Sequence, residues 1–150
     1  MPIFVESSKK IIDTCHIDLR QVAYEIIKYF DCTPLYGYRS PEKQFELFKI
    51  GRELIGGLWI VVNELMVVTN CDGKDIKSNH NKIPSDALDL APWPLDWRDH
   101  KRMYFFAGHV LNEARHMGIE LRWGGNWDMD DDLHDQTFYD LVHYERVMEA

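Results

Sequence analysis

The sequence predicts an α+β domain: a small antiparallel sheet with packed helices. Two segments carry apolar residues at three- and four-residue steps, Val22, Ala23, Ile26, Ile27 and Phe30 in one and Met103, Phe106, Ala107, Val110, Leu111, Ala114 and Met117 in the other, the period of a helix with one buried face. Short apolar runs between and after them read as strands; Ala87-Leu88-Asp89-Leu90, stopped by Pro92-Trp93-Pro94, is a buried one with a carboxylate inside it. Helices therefore precede and interrupt a small sheet, which defines the α+β class.

Taken in order, residues 7–15 carry a short helical pattern with Ser7 or Ser8 as the N-cap, and Asp18 is the N-cap of the helix that bears the first stripe. Residues 33–38 read as a strand. Ser40-Pro41-Glu42 starts a helix with proline in its first turn, running through Phe45, Leu47 and Phe48 toward Gly51. Gly56-Gly57 breaks the pattern, and residues 58–69, rich in Val, Ile and Leu, suit a strand or short hairpin. Residues 70–84 are polar and loop-like. Gly118 ends the long helix, and residues 119–123 and 141–147 are the last strands.

The 150 residues are expected to form a single domain, since nothing repeats and no linker divides them. A net charge of −8, from 17 Lys plus Arg against 25 Asp plus Glu, repels polyphosphate and argues against nucleic-acid partners and acidic lipid surfaces. Cys15, Cys32 and Cys71 form no CxxC pair and are odd in number, so reduced thiols are expected rather than a disulfide framework or a thiolate metal cage. The first twelve residues are charged and lack the apolar core of a secretory signal, and no run approaches the ~18 apolar residues of a membrane span.

Common catalytic strings, GxSxG, the Walker loop, GxGxxG and HExxH, do not occur, which leaves scattered ligands. Of seven histidines, His16, His100, His109, His116 and His134 read as surface or hydrogen-bonded core residues. His80, in the polar loop Ser78-Asn79-His80-Asn81, and His143, in a strand, differ. With Asp89 they supply two imidazoles and a carboxylate, the ligand set that a catalytic zinc with an open fourth position needs.

These residues also carry a resemblance. SNHNKIPSDALDLAPWPLDW resembles the S-x-H…A-x-D signature of the zinc DD-peptidase and L-alanyl-D-glutamate peptidase family, and LRWGGNWD…FYDLVHYE resembles its closing W-G-G…D-x-x-H motif. With Gly37-Tyr38-Arg39-Ser40 and Glu42-Lys43-Gln44 in the same order, the likeness spans residues 18–145 and is nearest to single-domain phage endolysins of the VanY-like, LAS-type (M15) class. The resemblance implies the DD-peptidase/Hedgehog-like zinc peptidase fold, one Zn2+ per chain on His80, Asp89 and His143, and Asp140 as catalytic acid/base. It further implies Arg39 as the group that holds substrate through a carbonyl or carboxylate, with Ser78 and Gln44 near that pocket. Asn126 stands where the family frequently has Asp.

The implied activity is hydrolysis of the peptidoglycan stem peptide, between L-alanine and D-glutamate, for host cell lysis. A D-Ala-D-Ala carboxypeptidase of the same family and a catalytically silent zinc-containing wall-binding module are the alternatives, and retention of Asp140 speaks against the second. Amide hydrolysis near neutral pH needs a polarised carbonyl and an activated water, both of which zinc supplies. Asp140, three residues before a ligand, is placed to accept the water's proton and return it to the leaving amine. The expected protein is a monomer that stays in the host cytoplasm until a holin-like export step. The acidic residues Asp128, Asp130, Asp131 and Asp132 begin like an EF-hand loop, but Leu133 replaces the turn glycine and Tyr139 the final glutamate. A solvated loop is the expectation there, with Ca2+ binding as the alternative. Trp93, Trp97, Trp123 and Trp127 are expected mostly in the core.

Overall fold

A computed structural model describes residues 1–148. Its elements are α1 (Glu6–Ile12), α2 (Ile17–Ile26), β1 (Cys32–Tyr36), α3 (Pro41–Phe48), β2 (Arg52–Ile55), β3 (Leu58–Val61), β4 (Ala87–Pro92), α4 (His100–His116), β5 (Leu121–Gly124) and β6 (Asp140–Arg146). Single 3-10 turns occupy Glu64–Met66 and Asn79–Asn81. Four strands form an antiparallel sheet in the order β1-β4-β6-β5, and β2 pairs with β3 in a separate hairpin. The α+β expectation holds; Glu149 and Ala150, the last residues of the expected 1–150 domain, lie outside the described residues.

Side chains alternate across a strand, so the central pair β4 and β6 sends its two residue sets to opposite sides. Leu88, Leu90 and Tyr144 join the core, where α4 contributes Phe106, Ala107 and Val110 and α2 contributes Leu19, Val22, Ala23 and Ile26. Val22, Ala23 and Ile26 of the first stripe and Met103, Phe106, Ala107, Val110 and Ala114 of the second are on the faces that α2 and α4 bury; Ile27 and Phe30 follow the end of α2, and Met117, past the end of α4, is exposed. The other set, Ala87, Asp89, His143 and Glu145, faces away from these helices, yet every residue of β4 is buried because the chain at 37–39 and 78–81 covers that side.

Several boundaries differ from expectation for identifiable reasons. Ser7 and Ser8 lie inside α1, whose N-cap is Val5 without a side-chain bond, while Glu6 places a carboxylate at the positive end of the helix. His16, not Asp18, caps α2, its Nδ1 accepting from the Asp18 N–H at 3.2 Å. The Asp18 carboxylate instead accepts from Arg146 Nε at 2.9 Å and ties the start of the chain to the last strand. Ser40 caps α3 as expected. The hairpin lies across Gly56-Gly57 rather than within residues 58–69, because both glycines take positive φ, 58° and 80°, which suits a two-residue turn between twisted strands.

Candidate active site

Asp89 and His143 are direct partners across the β4–β6 ladder, so their side chains emerge side by side on the same face. His80 reaches them from the 3-10 turn at Asn79–Asn81. That turn is closed at both ends: Ser78 Oγ accepts from the His80 N–H at 3.2 Å, and Asn81 Oδ1 accepts from the Ser78 N–H at 2.8 Å. It is also clamped to the chain following β1, with Arg39 N donating to the His80 carbonyl at 2.8 Å and Asn81 Nδ2 to the Arg39 carbonyl at 2.9 Å. His80 Nδ1 lies 2.7 Å from the Gly37 carbonyl. A Cβ at Gly37 would sit 2.6 Å from the Ile11 carbonyl oxygen, so only glycine lets this segment lie between α1 and the histidine.

The three side chains converge. His80 Nε2 and His143 Nδ1 each lie 3.1 Å from Asp89 Oδ1 and 3.2 Å from one another, all three residues being buried. The Gly37 carbonyl can only accept, so the His80 proton resides on Nδ1 and its Nε2 lone pair faces the cluster. Glu145 Oε2 lies 3.0 Å from His143 Nε2 and keeps a proton there, so the neutral form of this ring offers Nδ1 inward. Two such neutral rings and a carboxylate oxygen aimed at one point could hold a cation. The edges of the triangle are close to the roughly 3.3 Å between ligands of a tetrahedral ion bound at about 2.0–2.1 Å, so the donor set fits a metal with a fourth position open. Burial disfavours the charged forms here, but hydrogen bonds to Asp89 and Glu145 outweigh it and hold His143 up to about 10. For Asp89 the hydrogen bonds from His143 and His80 likewise overcome burial and keep the carboxyl well below its ordinary range.

Asp140 opens β6 three residues before His143, opposite Gly124 of β5. A Cβ at Gly124 would run into the Asp140 backbone carbonyl, and one at Gly125 into the Trp123 ring, which gives the paired glycines a steric reason. Burial, and then the negative charge of Asp89, push the Asp140 carboxyl above its ordinary value, the direction useful to a proton acceptor working near neutrality. A cavity of about 390 Å³ adjoins it, lined by Trp97, His100, Met103, Tyr104, Tyr139 and Leu141.

Arg39 sits at the edge of the cluster. One guanidinium nitrogen lies 3.7 Å from Asp89 Oδ2, the other donates to Gln44 Oε1 at 3.0 Å, and the plane stacks over Tyr36 at 4.7 Å. Its Nε is buried without a partner. Gln44, expected near substrate, has no exposed surface, and its Nε2 donates to Thr69 Oγ1 and to the Cys71 carbonyl. It therefore stands behind Arg39 and holds it. Ser78 is half-buried, and its hydroxyl caps the turn that carries His80.

His109 packs among Phe30, Phe105 and Tyr29, and His134 pairs with Asp132 on the surface. His100 opens α4 and lines the cavity beside Asp140. In the acidic loop the carboxylates that gather are Asp128, Asp130 and Asp135, all exposed, whereas Asp132 accepts from the His134 N–H. Of the tryptophans, Trp123 is buried and Trp127 packs on the His143 ring, but Trp93 and Trp97 are exposed, contrary to a mostly core placement. Burial pushes the Cys15 and Cys32 thiols up to about 12, which makes both inert. The Gly37 carbonyl and Asn79 carried no sequence signal. Glu145, which alternation places on the face of His143, did.

Residues 54–147 match the family described as phage L-alanyl-D-glutamate peptidase. The chain is 34% identical over 153 residues to the L-alanyl-D-glutamate peptidase of Escherichia phage T5, an alignment covering 96% of this chain and 97% of that protein. Its fold is similar to the crystal structure of the Serratia marcescens L-Ala D-Glu endopeptidase ChiX, with a TM-score of 0.65 at 21% identity over 96% of this chain and 89% of the other.

Proposed function

The chain belongs to the phage L-alanyl-D-glutamate peptidase family, and from that premise we propose that it is a zinc-dependent endolysin that cuts the peptidoglycan stem peptide between L-alanine and D-glutamate. The observation that carries the reading is the convergence of His80 Nε2, Asp89 Oδ1 and His143 Nδ1 on one point beside Asp140. The metal-binding capacity belongs to the donor set; zinc is our assignment, supported by the choice of two imidazoles and one carboxylate and by the near-tetrahedral spacing.

His80, Asp89 and His143 would hold the zinc, which would polarise the scissile carbonyl and lower the pKa of a water. Asp140 accepts the proton of that attacking water and delivers it to the departing D-glutamate amine, so one carboxyl serves as base and then as acid. The Arg39 guanidinium, oriented by Gln44 and Tyr36, donates to a carbonyl or carboxylate of the stem peptide through the planar fork that a lysine lacks. Ser78 acts on the same cluster by fixing the turn that carries His80.

We read the chain as a monomeric single catalytic domain. Among the described residues no helix is long and apolar enough to cross a membrane, which fits release through a holin-like export step. Calcium at Asp128, Asp130 and Asp135 is a subsidiary reading, supported by three carboxylates within reach of one ion. Chelation followed by readdition of zinc tests the proposal: lysis of purified cell walls should stop and return, and full activity in metal-free protein contradicts it.

A further inference from the structure

Glu145 is a buried carboxylate that the mechanism above does not use. Its Oε2 lies 3.0 Å from His143 Nε2 and accepts from Asn79 Nδ2 at 2.8 Å, and its Oε1 faces Arg122 at 3.3 Å. One oxygen thus joins β6, which bears His143, to the turn in which Asn79 immediately precedes His80. Asn79 Nδ2 can only donate, so the Glu145 oxygen that it reaches is an acceptor. The His143 ring stands between Glu145 and the Asp89–His80 edge of the cluster.

We propose that Glu145 is the positioning residue of the metal site: by accepting from His143 Nε2 and Asn79 Nδ2 it fixes the His143 tautomer that offers Nδ1 to the metal and holds the two histidine-bearing segments in register. This rests on the zinc reading given above. Neutral imidazole carries its proton on either nitrogen, and the Nε2-protonated form is the one that can ligate inward through Nδ1. The outer nitrogen of His80 is set by a backbone carbonyl, which no side-chain substitution can remove, whereas the outer nitrogen of His143 is set by the Glu145 side chain. Loss of such an orienting partner typically weakens metal binding by about 10–100-fold.

The test compares zinc affinity, measured by competition with a chromophoric chelator, for wild type, Glu145→Gln and Glu145→Leu, together with the nitrogen-15 signals of His143 in zinc-loaded wild type. Glu145→Gln keeps an oxygen acceptor for both donors and should retain most of the affinity. Glu145→Leu fills the space without an acceptor and should bind zinc about 10–100-fold more weakly. His143 in wild type should show a protonated Nε2 and a metal-shifted Nδ1. Wild-type affinity in Glu145→Leu, equal weakening in Glu145→Gln, or zinc on Nε2 of His143 would each overturn the inference. Failure of wild type to bind zinc through His143 at all would instead strike the functional reading, and the wild-type spectrum decides this even if Glu145→Leu fails to fold.

Discussion

His80 and His143 face one another through unlike nitrogens, Nε2 of the first lying 3.2 Å from Nδ1 of the second. Each choice follows from what the far side of the ring touches: a backbone carbonyl at Gly37 for His80, and the Glu145 carboxylate for His143. With both rings neutral, two lone pairs and the Asp89 carboxylate face one point, which suits a bound cation; in the metal-free protein a proton on His143 Nδ1, directed at Asp89 Oδ1, takes that place.

Replacing any one of the three ligands therefore leaves two, too few for stable retention of the ion. His80→Ala, Asp89→Ala and His143→Ala should each lose both metal and activity, while His100→Ala and His134→Ala keep their metal. Elemental analysis after gel filtration measures this directly, at about one ion per chain for the wild type. Equal metal loss in all five variants contradicts the ligand assignment.

Metal uptake should be linked to protons. With its pKa held up to about 10, His143 in the metal-free protein is protonated at pH 7 and must lose that proton to ligate. Zinc binding at pH 7 should release at least one proton per ion, readable by calorimetry in buffers of different ionisation enthalpy. The sign for stability follows: the His143 pKa is raised from 6.5, so its contribution to metal-free stability is complete below pH 6.5 and is lost as pH rises through about 10. Zinc uptake without proton release contradicts the assigned state.

Asp140→Asn separates chemistry from metal binding. The amide is nearly isosteric and leaves His80, Asp89 and His143 in place, but it cannot accept a proton. Zinc should stay bound while turnover falls on the order of a hundred- to ten-thousand-fold. Loss of zinc would make Asp140 a ligand or an orienting group, and full activity would place the base elsewhere.

Much of this arrangement was legible in the sequence because it is local or periodic. The apolar stripes of α2 and α4 and the buried run at Ala87–Pro92 are patterns that packing then uses directly. The site was legible by motif: His80, Asp89 and His143 are spread over 64 positions of the chain, and no periodicity connects them. What stayed hidden depends on contacts between distant segments. Gln44 reads as a solvated helical residue or a substrate contact, and only the packing of α3 against the chain at Thr69 and Cys71 buries it behind Arg39. Asp18, read as the cap of α2, engages Arg146 at the far end of the chain, and His16 caps the helix.

For Arg39, Lys keeps the charge but loses the fork, the stack on Tyr36 and the bond to Gln44. Arg39→Lys should raise KM with zinc content unchanged. Steady-state kinetics on a soluble stem-peptide substrate distinguish this from a catalytic defect, and wild-type KM would remove Arg39 from substrate binding.

The central claim, a metal-dependent endopeptidase acting between L-alanine and D-glutamate, is tested most directly by mass spectrometry of the fragments that zinc-loaded protein releases from purified sacculi. New chains ending in L-alanine, matched by peptides that begin with a free D-glutamate amine and vanish when the metal is removed, are the predicted result. Release of terminal D-alanine from otherwise intact stems, or no new ends at all, would contradict it.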